Sequence, residues 1–407
     1  MIPALKAAAV ASPTRADERP WSLWASTLSP FALKVDALCD YAGLPHRWMP
    51  AEGTRSEGLR DMLRVRGISS RRLPLTYPQL GELDELPLVP FLLGPDGENL
   101  YDSSAIGRWL DASGRIVRAG SVPTLPKDDA SLRFAIRIVD EYFDEFGLYM
   151  VHHNRWKVAA RDNGAGARLG DDMRPLVGPL ARMIEWHFPA RQVRRLPYLF
   201  SVADAGDHSF DDLPKRLRPP PRPGFPPTHA LLEASFARIL AILEQLLDGR
   251  PYLFGDRFTL ADASAYGQLA MNITDASAEA WIRRDAPRLR AWLQRIAEAD
   301  FASSRPDGRI SLHEGSAALL EEVGRIFVPL MRQNAAAFAR HRAAGETRFN
   351  EAAFDAGRAL YDGELAGQPF RSVAKTFQVR VWQSLREDWE ALSESERHRL
   401  GALGIEG

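Results

Sequence analysis

The sequence predicts a small α/β domain followed by a larger all-helical region. A strand, helix, strand unit over residues 21–49 and a hairpin followed by a helix over residues 88–110 indicate the α/β part. Beyond Pro123 the apolar residues recur at spacings of three and four, which is typical of amphipathic helices. With 407 residues the chain can bury two or three cores without disulfide or metal staples.

The first unit begins with a short apolar strand over residues 21–25 and continues into a helix. Ser29 is a good N-cap residue and Pro30 suits the first helical position, so the helix is expected to start here. Gly43 marks its end. Residues 44–49 then form a second strand, which we expect to lie parallel to the first.

In the second half of the α/β domain, the secondary-structure signals are weak at the start and clear at the end. Residues 51–85 show no clear periodicity, and their Arg-rich part, residues 60–72, is read as a solvated face in preference to a partner for a ligand carboxylate. An apolar strand follows over residues 88–93, with a short strand at Asn99–Tyr101 and a helix from Ser103. These elements predict a hairpin that leads into a helix.

The helical region contains a long amphipathic helix, a Pro-rich break and a strongly apolar helix. Phe134, Phe146 and Tyr149 lie on one stripe of the long helix. Residues 195–227 carry too many prolines for a helix interior, so they are expected to form an insertion loop. The chain resumes as a helix after Thr228.

A further hundred residues follow the helical region, and their large apolar side chains are too numerous for a free tail. Four of them recur every fourth residue as one helical stripe: Phe377, Val381, Leu385 and Trp389. We expect this extension to pack on the helical domain of its own chain. Helices are expected over residues 350–361 and 372–392, with Asn350 and Ser372 as caps and a turn at Gly363 and Pro369.

The expected organisation is therefore a disordered tail, two domains and an extension. The boundaries are residues 1–19 for the tail, 20–112 for the α/β domain, 123–300 for the helical domain with its insertion at 195–227, and 301–407 for the helical extension.

Composition narrows the functional classes. The 52 basic and 53 acidic residues give a net charge of −1, so no nucleic-acid partner is expected, and no apolar run is long enough for a membrane span. Cys39 is the single cysteine and excludes an internal disulfide or a cysteine-cluster zinc site. A reducing, cytoplasmic location fits best.

Four local motifs, in chain order, resemble the glutathione S-transferase superfamily. They are Ser29-Pro30-Phe31-Ala32, Val89-Pro90, Asp102-Ser103 and the N-capping segment Phe258-Thr259-Leu260-Ala261-Asp262-Ala263-Ser264. The resemblance implies a thioredoxin-like N-terminal domain, a cis bond before Pro90 and an all-helical C-terminal domain. It covers about residues 20–300, although the interval from Ser29 to Pro90 is some twenty residues longer than the family pattern.

The resemblance also implies how glutathione would be bound. The Ser29 hydroxyl, in place of a nucleophilic Cys, would stabilise the thiolate by a hydrogen bond at a helix N-terminus. The backbone of Val89 before Pro90 would pair with the peptide, Asp102 would accept from the ammonium group, and Ser103 would hold the carboxylate. Ser29, Asp102 and Ser103 as simple N-caps, and Pro90 as a turn without a ligand, remain the structural alternatives.

The long helix supplies candidates for a second-substrate pocket. In the family it borders that pocket, so Tyr149, His153 and Trp156 are candidates to line it, with core packing as the alternative. His152 and His153 are adjacent, so their side chains point about 100° apart and share no helix face. No metal site is therefore expected.

The leading hypothesis is a glutathione transferase that takes glutathione as substrate, with no metal, and conjugates it to an unknown small electrophile. A non-catalytic adaptor, in which the α/β domain is a scaffold and the insertion and extension bind a partner, is the alternative. The family resemblance also allows a homodimer.

Overall fold

The structure is a computed structural model that describes residues 19–83, 89–118, 120–204 and 208–405. Most of the predicted tail, residues 1–18, lies outside these ranges, as does Leu88 at the start of a predicted strand. The predicted fold class is confirmed: an α/β domain is followed by a helical region. No helix among the described residues combines the length and apolar character that a membrane crossing requires.

The α/β domain is built on one four-stranded sheet. Its strands are β1 (Trp21–Trp24), β2 (His46–Met49), β3 (Phe91–Leu93) and β4 (Asn99–Tyr101), in the spatial order β2-β1-β3-β4. β1 and β2 are parallel, whereas β3 is antiparallel to both β1 and β4. The strand, helix, strand unit and the hairpin therefore form as predicted.

Helix α1 (Pro30–Ala42) crosses between β1 and β2. Ser29 caps it by accepting a hydrogen bond from the backbone of Ala32, and Gly43 ends it with a φ of 74°. That left-handed backbone conformation suits glycine, which has no Cβ to clash. Both helix signals in the sequence are therefore correct.

Helix α2 (Arg55–Ser69) occupies the part of residues 51–85 that showed no clear periodicity. Its start is a complete capping box, in which Thr54 accepts from the backbone of Glu57 and Glu57 accepts from the backbone of Thr54. Arg64 then donates three hydrogen bonds to the β3–β4 hairpin, at the side chain of Asn99 and the carbonyls of Gly94 and Glu98. At least one arginine of the Arg-rich segment therefore holds the fold together.

Helix α3 (Ser103–Ser113) completes the α/β domain, and a long helix opens the helical region. That helix consists of α4 (Ala130–Tyr142) and α5 (Leu148–His153), joined by a π-helical turn, with a second π-helical turn after α5. The remaining helices of the region are α6 (Ala165–Val177), α7 (Ala181–Arg194), α8 (Leu196–Phe200), α9 (His229–Leu246), α10 (Leu260–Ile273), α11 (Ala276–Asp285) and α12 (Pro287–Ala297). α8 lies inside the predicted insertion loop, which is therefore partly helical.

The extension contains both helices and strands. Its elements are α13 (Glu314–Glu322), α14 (Val328–Ala343), α15 (Glu351–Asp355), β5 (Leu360–Leu365), β6 (Gln368–Val373), α16 (Thr376–Ala391) and α17 (Glu394–Gly401). Asn350 caps α15 as expected. The helix predicted over residues 350–361 ends at Asp355, and Ser372 belongs to a strand rather than a helix cap, so these parts of the prediction are wrong.

The unpredicted hairpin has a clear physical cause. Ala366 and Gly367 connect β5 to β6 with φ values of 49° and 77°, and two successive left-handed residues favour a tight hairpin turn. Gly363, expected in a turn, pairs with Phe370 across the hairpin. A Cβ at Gly363 would lie 2.5 Å from the ring of Phe370, so glycine leaves room for that ring.

The stripe on α16 faces the helical region. Val381 and Leu385 are buried in the core cluster that also contains Phe134 of α4. Trp389 is half-buried, and its ring centroid lies 5.3 Å from that of Phe134. The extension thus shares one apolar core with the helices that precede it.

The two domains meet most closely where α1 crosses α10. Gly267 on α10 faces the start of α1, and a Cβ there would lie 2.5 Å from the carbonyl oxygen of Pro30 and 2.9 Å from Cβ of Lys34. Backbone atoms cannot move aside as a flexible side chain can. Glycine is therefore required for this contact.

We predict that Gly267→Ala destabilises the protein by about 1–3 kcal/mol, because the new methyl group would push α1 away from α10. Thermal unfolding followed by circular dichroism would measure the change. Gly147→Ala is the matched control, since a Cβ at Gly147 would make only an ordinary 3.4 Å contact with the ring of Phe143. Equal melting temperatures for the two variants would contradict the prediction.

Candidate ligand-binding site

Three of the sequence motifs meet at one end of the sheet. The strand register aligns Trp24 with Phe91 and Phe91 with Tyr101. Ser29 follows β1, Val89 and Pro90 precede β3, and Asp102 and Ser103 follow β4, so antiparallel pairing brings all three segments to the same edge. The peptide bond between Val89 and Pro90 is cis.

Ser29 stands at the start of α1 with its side chain partly exposed. Its Oγ accepts from the backbone N–H of Ala32 at 3.4 Å, which is a long contact for a cap. The preceding loop is tied to the helical region, because Ser26 Oγ and the Thr27 backbone N–H donate to Asp172 at 2.8 and 2.9 Å. Residues of α6 therefore fix the loop that carries Ser29.

Asp102 has an unusual backbone and a charged partner. Its φ of 68° is left-handed, a region that non-glycine residues rarely occupy and that concentrates at functional sites. Asp102 Oδ1 accepts from the backbone of Ala105, and Oδ2 accepts from Arg380 of α16 at 2.5 Å. Burial alone would raise the pKa of Asp102, but the guanidinium groups of Arg380 and Arg108 outweigh it and hold that pKa below its ordinary value.

Ser103 points its hydroxyl into the interior. Its Oγ donates to Asp144 Oδ2 at 3.3 Å, in the π-helical turn that follows α4. The side chain is buried. The Ser103 hydroxyl therefore already has an acceptor within the protein.

Asp144 belongs to a buried ionic cluster centred on Lys34 of α1. Lys34 Nζ donates to Asp140 Oδ1 at 2.5 Å, to Asp144 Oδ2 at 2.7 Å and to Ser104 Oγ at 2.7 Å. The lysine side chain is fully buried. Burial lowers the pKa of Lys34, but the carboxylates beside it reverse the effect and hold that pKa above its ordinary value. We name Lys34, Ser104, Asp140 and Asp144 the Lys34 cluster.

Neighbouring carboxyl groups respond to the same surroundings. Burial, together with the charges of Asp140 and Asp144, raises the pKa of Glu141 to about 8. Burial raises the pKa of Glu145 to about 7, although a hydrogen bond from Gln378 opposes the shift. The oxygens of Asp140, Glu141 and Asp144 are close enough together to hold a cation, but the ammonium of Lys34 already donates to two of them.

Tyr149 and His153, candidates for a second-substrate pocket, are packed in the protein interior. Tyr149 stacks on Phe200 with ring centroids 4.8 Å apart, and its hydroxyl accepts from Gln378 of α16 at 2.9 Å. His153 Nε2 lies 2.9 Å from Nδ1 of His229. Burial lowers the pKa of His153 to about 3, so the ring is neutral at pH 7.

Trp156, the third candidate, is also buried but borders open space. Its ring packs edge-on against Phe188, with ring centroids 5.8 Å apart. It lines a cavity of about 250 Å³ together with Pro189, Val193 and Arg216. A contact between Tyr149, His153 or Trp156 and a second substrate stays a prediction.

Sequence reasoning missed the two cations that dominate this region. Lys34 carried a usable signal, since it interrupts the apolar run that starts α1, and Asp140 and Asp144 stand one helical turn apart on an equally apolar helix. Arg380 carried none, because an arginine on an amphipathic surface helix is ordinary. Its role depends on a contact with Asp102, 278 residues earlier in the chain.

Two family profiles match the chain. The glutathione S-transferase N-terminal domain matches residues 28–113, and the glutathione S-transferase C-terminal domain matches residues 226–295. These two matches support membership of the glutathione S-transferase superfamily. The N-terminal match spans Ser29, Val89, Pro90, Asp102 and Ser103, whereas Arg380 lies beyond both matches.

Glutathione S-transferases also occur among similar solved structures. One from Pseudomonas fluorescens is 16% identical to this chain and has a TM-score of 0.33. The alignment covers 68% of this chain and 94% of the Pseudomonas chain. A rice glutathione S-transferase in complex with glutathione is 17% identical, with 72% and 92% covered and a TM-score of 0.37. One from Phanerochaete chrysosporium is 17% identical, with 70% and 98% covered and a TM-score of 0.42. A comparison with curated proteins finds no match.

We predict that Glu141→Gln stabilises the protein progressively as the pH rises from 5 to 8. Folded wild-type protein holds the Glu141 proton up to about pH 8, whereas the unfolded chain releases it near the ordinary value of 4.5. The free energy of unfolding of the wild type therefore falls across this interval, by on the order of 1.4 kcal/mol per pH unit for this group, and glutamine removes the loss.

Melting temperatures of both proteins, measured at pH 5, 6, 7 and 8, would test this. Glu390→Gln is the control, since Glu390 is an exposed residue of α16 paired with Arg386. A constant difference between wild type and Glu141→Gln would contradict the prediction.

Proposed function

We propose that this chain binds glutathione at the end of the sheet where Ser29, Val89 and Asp102 converge, and that it conjugates glutathione, through its sulfur, to an electrophile. The observation that carries the proposal is the strand register, which brings three separate segments to one edge within a superfamily domain match. The same proposal includes a small, unidentified electrophile, a homodimeric assembly and a cytoplasmic location.

The γ-glutamyl end would bind at the start of α3. In this arrangement Asp102 accepts from the ammonium group, and Ser103 and the first turn of α3 hold the carboxylate. The strained φ of Asp102 supports a ligand role, because a helix cap alone needs no left-handed residue. The backbone of Val89, beside the cis bond, would pair with the cysteinyl part of the ligand as a strand edge does.

The Ser29 hydroxyl would act on the thiol. A free thiol has a pKa near 8.5, so most of it is protonated at pH 7. A hydrogen bond from Ser29 Oγ, together with the positive end of the 13-residue helix α1, would stabilise the thiolate. With an aryl halide, the sulfur would form a bond to the ring carbon, the carbon–halogen bond would break and halide would leave. The thiol proton would pass to solvent.

A non-catalytic adaptor remains the second candidate, and two contacts favour it. Asp102 is already paired with Arg380, and Ser103 already donates to Asp144. Both residues proposed to bind the γ-glutamyl end therefore have partners within the protein. In this alternative the site does not open to a ligand, and the contacts serve only to join the α/β domain to the extension.

Calorimetric titration with reduced glutathione separates the two functions. We expect saturable heat in the millimolar range or tighter, and we expect Ser103→Ala to weaken binding by about 1–3 kcal/mol because a charged group loses a donor. Ser113→Ala, at the exposed far end of α3, should bind like the wild type. An adaptor predicts no heat from any of the three proteins.

We predict that Ser29→Ala lowers the turnover of any conjugation by roughly 10- to 1,000-fold, because the thiolate loses a positioned donor. Initial rates with an aryl halide, at saturating glutathione, would measure the effect. Ser393→Ala is the matched control: it removes a serine cap of similar geometry from α17, far along the chain. Equal losses in both variants would assign Ser29 to helix capping alone.

A further inference from the structure

Arg380 brings the extension into contact with the proposed glutathione site. Arg380 projects from α16 and donates to Asp102 Oδ2 at 2.5 Å. The Asp102 side chain is only 7% exposed, and that of Arg380 is 25% exposed. The Arg380 side chain therefore covers the Asp102 carboxylate, and part of it remains exposed to solvent.

This contact uses the group that the proposed function assigns to the ligand. Asp102 Oδ1 caps α3 by accepting from Ala105, which leaves Oδ2 as the oxygen that faces Arg380. An ammonium ion and a guanidinium are both cations that donate hydrogen bonds to a carboxylate. Two cations cannot share one buried oxygen without strong repulsion.

We propose that Arg380 occupies the position of the ligand's ammonium group and competes with the γ-glutamyl end of glutathione for Asp102. This inference rests on the proposed function, since it names a residue that limits access to the same site. The extension thereby sets the affinity of the site for ligands that carry an ammonium group beside a carboxylate.

The rest of α16 is held firmly, so the competition needs only a side-chain movement. Gln378 donates to Tyr149, and Nζ of Lys375, the residue before α16, donates to the carbonyl of Leu199 at 3.1 Å. At the other end of the helix, Asp388 forms an ion pair with Arg137 of α4. The helix therefore stays in place while the long, partly exposed side chain of Arg380 can swing away.

Asp102 keeps a charged neighbour when Arg380 leaves. Arg108, on α3, also contributes to the low pKa of Asp102. The carboxylate is therefore expected to stay ionised in an Arg380 variant and to remain a suitable partner for an ammonium group. Removal of Arg380 frees the oxygen without removing the site.

The size of the effect follows from the fraction of molecules in which Asp102 is available. The apparent Kd equals the intrinsic Kd divided by that fraction. If the ion pair is formed in about nine molecules of ten, its removal tightens glutathione binding about 10-fold. The gain should depend on the ligand's ammonium group.

The test is a calorimetric titration of the full chain with two ligands. One is reduced glutathione, and the other is its deaminated analogue, glutaryl-cysteinylglycine, which lacks the ammonium group. Wild type is compared with Arg380→Ala, with Arg380→Gln, which keeps a polar side chain, and with Arg386→Ala, which removes an exposed arginine of the same helix. Melting temperatures verify that each variant is folded.

We expect both Arg380 variants to bind glutathione about 10-fold more tightly than wild type and to bind the deaminated analogue with little change. Arg386→Ala should match the wild type for both ligands. Weaker or equal glutathione binding by the Arg380 variants would overturn the inference and leave the proposed function intact, and so would an equal gain for both ligands. No binding by any protein would overturn both the proposed function and the inference.

Discussion

The buried ammonium of Lys34 is the interaction on which the two-domain arrangement depends. It extends from α1 of the α/β domain and donates to Asp140 and Asp144 of the helical region. Taking three charges out of water costs several kcal/mol for each ion, so the cluster is stable only because the groups satisfy one another. Removing one partner would leave an uncompensated buried charge. The cluster therefore fixes the position of α1 relative to α4, more than it adds net stability.

The same cluster sets the geometry of the candidate site. Ser104 is a member, and Ser103, the residue before it in α3, donates to Asp144. Ser29 begins the helix that carries Lys34, one turn earlier. The start of α1 and the start of α3 are thus both tied to Asp144 or its neighbours. Gly267 of α10, which lies close to Pro30, allows α1 and α10 to pack closely.

Local signals accounted for most of the fold. Ser29, Pro30 and Gly43 fixed the ends of α1 because capping and left-handed termination act over a few residues. The capping box of Thr54 and Glu57 was equally local. The arginines that follow it interrupt the apolar periodicity, so the helix was not recognised in the sequence. In the extension, a helix was expected over residues 350–361, but the turn preference of Ala366 and Gly367 led to a hairpin whose first strand begins at Leu360.

Candidate-site residues that lie beside a strand end could be predicted from the sequence. Those contributed by distant parts of the chain could not. Ser29, Pro90 and Asp102 each lie close to a strand end that local signals predicted, and the resemblance of their motifs to one family indicated that they belong to one site. The contact of Arg380 depends on how the whole extension folds back over the helical region. The contact between Lys34 and Asp144 likewise depends on the docking of two domains, and sequence spacing does not indicate which groups will pair in either contact.

The 278 residues between Asp102 and Arg380 also have a consequence for the order of events during synthesis. A ribosome that adds about 5–20 residues per second needs roughly 14–56 s to cover that interval. The sheet edge and the start of α3 are complete in sequence throughout this time, while Arg380 has yet to be made. A newly made chain thus presents the Asp102 carboxylate without Arg380, so that a small cation can bind there before the extension reaches it.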